Sequence, residues 1–228
     1  MKKICVSILF AVSLCPFSSL NLRANGQDYL EPEKGNFNDR AEDLFFYDRD
    51  IVLYLLKEQN ARGSDYDLRA RVVCLPSFFP EWSVSVWENG DEHWIELAVA
   101  EELLWESEQR AKVKIKTSIV PVDAETAAIL HSLWTEMLVR VRYPAQEDDI
   151  VSSTDGQDYH FSCIHRPRGL LAGVARCPTP GTLIVRMTEL ADLLRDYAGS
   201  PEAERPGRAA TISEKAKQMK VDMEKIKK

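Results

Sequence analysis

Along the middle of the chain, hydrophobic positions recur with a period of two, then of three to four, and the changes of period mark out the elements. Leu68, Ala70, Val72 and Cys74 occupy every second position, so Leu68 to Leu75 is predicted to be a strand. Ser83 to Trp87 alternates, Asn89-Gly90 supplies a pair that tolerates positive φ, and His93 to Val99 returns, which together predict a hairpin. Val113 to Val120 is a further strand, closed by Pro121.

The period then lengthens. Ala127, Leu130, Trp134, Met137, Leu138 and Val141 form one apolar stripe, predicting a helix capped by Asp123 and stopped by Pro144, with Arg140 and Arg142 in its last turn. The same order recurs on a smaller scale. Asp155-Gly156 is a turn signal, Tyr159 to Ile164 and Leu171 to Cys177 are strands, and Thr182 to Ala198 is a helix with Leu183, Met187, Leu190, Leu194 and Tyr197 on one face. Upstream, Ala41, Leu44, Phe45, Val52, Leu55 and Leu56 predict a helix ending near Asn60. Closely spaced strands followed by helices imply an α+β fold: a mainly antiparallel sheet packed against two or three helices, not a parallel doubly wound one.

The two ends differ from the middle. Lys2 and Lys3 precede an apolar run from Ile4 to Phe17, too short for a membrane-spanning helix, so residues 1–24 read as an export signal cut after Ala24. Lipid attachment at Cys15 is the competing outcome, with Leu14 a poor fit before it. Residues 25–38 read as a flexible leader, 39–198 as one domain, 199–210 as a Pro- and Gly-rich linker and 211–228 as a basic amphipathic helical tail. In that tail Thr211 and Glu214 have capping-box spacing, and Ile212, Ala216, Met219, Met223 and Ile226 form its stripe.

Charge narrows the partners. The 228-residue chain carries a net charge of −7. Without the three basic residues of the signal it carries −10, and residues 25–199 alone carry −13 against +3 for the remainder. Nucleic acid is excluded as a partner, because phosphate binding needs clustered Lys and Arg. A basic protein is the expected partner. The tail lysines Lys215, Lys220 and Lys227 suggest a second contact, with a membrane surface or a partner helix.

Candidate chemistry is sparse. Trp82, Trp87, Trp94 and Trp105 cluster around the hairpin, and of these Trp82, Trp87 and Trp94, with Glu101 and Glu102 just beyond it, are the binding candidates. Of the cysteines left after signal removal, Cys163 and Cys177 are the disulfide candidate, because a hairpin centred near Leu170 would set them opposite one another. Cys74 reads as a buried apolar side chain. His160, Cys163 and His165 could offer a base, a nucleophile or metal ligands, but on a strand His160 and Cys163 point to opposite faces. No phosphate loop, GxSxG elbow, HExxH or paired CxxC is present, and neither a metal nor a cofactor is expected.

These readings lead to an exported periplasmic or envelope binding protein without catalytic activity, of the inhibitor or immunity type, recognising a protein through an acidic surface. The alternatives are an exported hydrolase or metal-dependent enzyme using the His160, Cys163 and His165 region, and an envelope-attached structural protein.

Overall fold

The computed structural model describes residues 28–32, 50–60, 67–142, 156–176, 178 and 180–226. Two helical pieces come first, α1 (residues 50–55) and α2 (Lys57–Asn60). Strands β1 (Asp67–Pro76), β2 (Trp82–Asn89), β3 (Glu92–Ala100) and β4 (Ile115–Pro121) follow, then α3 (Ala124–Leu138). Strands β5 (Gln157–His165) and β6 (Gly169–Arg176) precede α4 (Leu183–Gly199) and α5 (Arg205–Ile226). The protein is α+β, with one six-stranded antiparallel sheet in the order β4-β3-β2-β1-β5-β6.

Alternation in the strands divides the buried residues between two layers. Ala70, Val72, Cys74, Trp82, Val84, Val86, Leu97 and Phe161 face α3, α4 and α5 and build the main core. Val73, Ala98 and Ala100 face the other way, where Ile51, Val52, Leu55 and Leu56 of the α1–α2 region close a smaller core with Leu104 and Val113. Among the described residues, no helix is long and apolar enough to cross a membrane.

Local chemistry sets the helix starts. The Asp123 carboxylate accepts the Thr126 N–H at 2.8 Å, and the Thr182 hydroxyl oxygen accepts the Val185 N–H, so each cap satisfies a donor the helix leaves open. α3 ends at Leu138, short of the Val141 end of its sequence stripe. The released residues meet the N-terminal segment instead. The Arg142 N–H donates to Leu30 O, and its guanidinium sits 3.9 Å from the centre of the Tyr29 ring.

Residues 28–32, inside the stretch read as a flexible leader, are built into the fold. Leu30 is 0 % exposed in the main core, Glu31 exchanges both backbone hydrogen bonds with Val174, and Asp28 Oδ1 accepts the N–H of Leu183 at the start of α4. One apolar side chain with backbone pairing outweighs the polar composition of its neighbours. Gly173 makes the fit, since a Cβ there would stand 2.7 Å from Val141 Cγ2 and 3.1 Å from Leu30 Cβ. Gly173→Val is therefore expected to destabilise the fold by about 1–3 kcal/mol. Urea unfolding checks this, and an unchanged midpoint would refute close packing at Gly173.

The stretch read as a linker gives way to α5 at Arg205, after a single 3-10 turn at Glu202–Glu204. Pro206 falls in the first turn, where no intrahelical N–H is required. Thr211 lies within the helix, its hydroxyl donating to Gly207 O at 3.0 Å, so the Thr211/Glu214 spacing is not a helix start. Ile212, Ala216, Met219 and Met223 are buried against the body, with α3 and α4 as the packing partners. Burying each large side chain contributes about 1.5–3 kcal/mol, more than the roughly 1 kcal/mol that Gly207 costs a helix.

Candidate functional site

The face of the sheet away from α3, α4 and α5 carries a buried polar row. Strand pairing sets Arg71 beside Ser85, and Ser85 beside Glu96, while on the other side Arg71 lies beside Ser162. Arg71 Nε donates to Ser85 Oγ at 3.0 Å, and the Ser85 hydroxyl donates to Gln59 Oε1 at 2.8 Å. Gln59 Nε2 reaches Ser83 Oγ at 3.5 Å. Arg71 also lies 5.4 Å from the centre of the Trp87 ring.

Burial lowers the Arg71 pKa to about 10, an effect that the nearby Glu96 charge opposes. A partly open cavity of about 180 Å³ adjoins this row, lined by Tyr54, Lys57, Gln59, Glu96 and Thr117 among others. It can hold a few waters or a small polar ligand.

The sequence-derived candidates fall in different places. Trp82 is buried on the helix side, edge-on to Tyr159 and with Arg195 stacked 5.0 Å from its ring centre. Trp87 and Trp94 are directly opposite across β2 and β3, on the far face, with Trp87 buried. The two-residue turn is Gly90-Asp91, one position later than expected, because Asn89 still pairs with Glu92. Glu101 and Glu102 are exposed at the opposite end of β3 from Trp94. The five candidates therefore do not form one surface.

The register corrects the disulfide candidate. β5 and β6 pair about a turn centred on Pro167, not Leu170, which sets Cys163 opposite Leu171. Cys163 and Cys74 are free and buried; Cys177 lies outside the described residues. Burial raises the Cys163 thiol pKa, with Thr135 Oγ1 at 3.7 Å from its sulfur. Cys74 is pushed up to about 12, first by burial and then by the charge of Asp192. Neither is a ready thiolate at neutral pH.

The histidines are dispersed. Cys163 belongs to the main core, and His160, three residues earlier on the same strand, points to the other face, where it sits beside Val73. His93 bonds Glu88 at 3.1 Å, and His131 Nδ1 bonds Arg69 O at 2.7 Å. Among the described residues, no group of three or more His, Cys, Asp or Glu side chains is placed to hold a metal ion.

The sequence reading counted Trp105 among the aromatics around the hairpin but missed Phe78 and Phe79. The β1–β2 connection presents Phe78 and Phe79 at 66 % and 65 % exposure. Beside it the loop after β3 presents Trp105 at 42 %. The run Pro76-Ser77-Phe78-Phe79-Pro80 could have signalled them, as two aromatic residues framed by prolines in a turn.

Compared with known proteins, the chain matches no protein family, no curated protein and no solved structure.

Proposed function

We propose that the protein is an exported, non-catalytic binding protein that engages a basic protein partner through its acidic surface. The observation that carries this reading is the charge of −13 over residues 25–199, which attracts a basic surface over distances up to about the screening length. The basic end supports it. Lys217 pairs with Glu125 at 2.7 Å and Lys215 lies 3.7 Å from Glu189, two tail cations on body carboxylates, while Arg186 of α4 and Asp222 of α5 pair in the reverse sense at 2.8 Å. Lys220 bonds Ser132, and with the α5 stripe buried, the apolar side of that helix is not open to lipid while it is docked. Lys227 lies outside the described residues.

The enzyme alternative has less support, because a His160–Cys163 dyad would have to act across the sheet.

Affinity capture from an envelope extract at low and high salt tests the proposal. A basic protein retained at low salt and released at high salt is the expected result. Salt-independent capture, or none, would overturn it.

A further inference from the structure

The aromatic end of the sheet is built to stay exposed. Ser77 is tied to Gly156 by three hydrogen bonds, with Ser77 N–H and Oγ–H both donating to Gly156 O at 3.0 Å and Gly156 N–H donating to Ser77 Oγ at 3.1 Å. Pro76 and Pro80 restrict the backbone on either side. Glu81, 1 % exposed, accepts the N–H groups of Leu104 at 2.8 Å and Trp105 at 3.0 Å, joining the second loop to the first. The backbone is pinned inward and the rings of Phe78, Phe79 and Trp105 are left in solvent.

Three exposed aromatics on two fixed loops are unlike the scattered apolar residues of an ordinary surface. We propose that this end seats on a zwitterionic bilayer surface of the phosphatidylethanolamine or phosphatidylcholine type, with Phe78, Phe79 and Trp105 in the headgroup boundary.

Charge selects that occupant. Residues 75–81 contain one charged side chain, the buried Glu81, and residues 101–116 carry four acidic and four basic residues, so these two segments contribute only −1 to a body of −13. An anionic bilayer would repel the body, and a basic protein would find no acidic surplus in these loops. A neutral interface meets neither objection. It also suits Trp, whose ring sits at headgroup depth, and Phe, which amphipathic surface segments bury at the headgroup boundary, and the segment after Trp105 carries the exposed Lys112 and Lys114. This surface differs from the electrostatic one proposed above and is independent of it.

The test uses the full exported chain as processed by the cell, so that wild type and variants share one N-terminus. Vesicles of phosphatidylcholine and phosphatidylethanolamine are expected to co-sediment the wild type with little salt dependence, and added phosphatidylglycerol should weaken binding. The double variant Phe78→Ala/Phe79→Ala should lower the partition coefficient about tenfold or more, with an unchanged melting temperature because both rings are exposed. Brominated lipid should quench wild-type fluorescence, and Trp105→Phe should remove most of that quenching while the protein still binds.

No wild-type binding, equal binding by the double variant, or binding only to anionic vesicles would overturn the proposal. So would a protein captured by the wild type, lost in the double variant, with no vesicle binding by either. Failure here leaves the salt-released basic partner untouched, because that capture is expected to survive Phe78→Ala/Phe79→Ala.

Discussion

Trp134→Ala is expected to cost about 3–5 kcal/mol, the range for deleting a large buried aromatic, and to lower the melting temperature by on the order of 10 °C in a protein of this size. Trp134 is 0 % exposed, edge-on to Phe161 with ring centres 5.7 Å apart, and its Nε1–H donates to Arg71 O at 3.0 Å. Its loss opens a cavity under the centre of the sheet. It also removes a side-chain donor from the Arg71 carbonyl, at a strand position whose side chain begins the polar row on the far face.

Trp134→Phe separates the two effects. It keeps most of the volume and the contact with Phe161 but loses the N–H, and is expected to cost about 1–3 kcal/mol. Urea unfolding of both variants measures the difference, and near-equal values would mean that the hydrogen bond dominates. An alanine variant within about 1 kcal/mol of wild type would contradict the packing described.

The helix-side core was legible in the sequence because one period governed each element. In α3 the stripe from Ala127 to Leu138 is the buried face, and in β1 alternation from Ala70 to Cys74 assigns the helix side correctly. Turn centres were less legible. A shift of three positions in the β5–β6 turn, from Leu170 to Pro167, turned the expected Cys163–Cys177 pairing into Cys163 opposite Leu171. Two-residue alternation fixes which face a side chain takes but not which residue it meets.

The candidate sites were less legible still, for a related reason. Arg71, Ser85 and Glu96 lie on three strands and meet only through the register, so no local motif announces them. Leu30 and the apolar stripe of α5 were undervalued because they lie in polar stretches, where composition suggests a leader or a tail. Tertiary burial of a few large side chains overrode that local signal.

Glu81→Ala is expected to cost about 3 kcal/mol, because it leaves two backbone donors without the charged acceptor they share. The carboxylate is almost fully buried and binds the N–H groups of Leu104 and Trp105, while the Glu81 carbonyl accepts from Ala100 N–H at 2.9 Å and stays in the variant. The damage should therefore be local before it is global. Hydrogen exchange at Leu104 and Trp105 should accelerate far more than in α3, and Trp105 should become more accessible to a soluble quencher. Glu81→Gln retains one oxygen acceptor but turns an NH₂ group toward the same backbone donors, so it should recover only part of the loss. If both variants keep wild-type stability and exchange, Glu81 does not hold the loop. If exchange rises only around Leu104 and Trp105, the carboxylate fixes the Trp105 loop beside Phe78 and Phe79, and the variant should bind vesicles less well although all three rings remain.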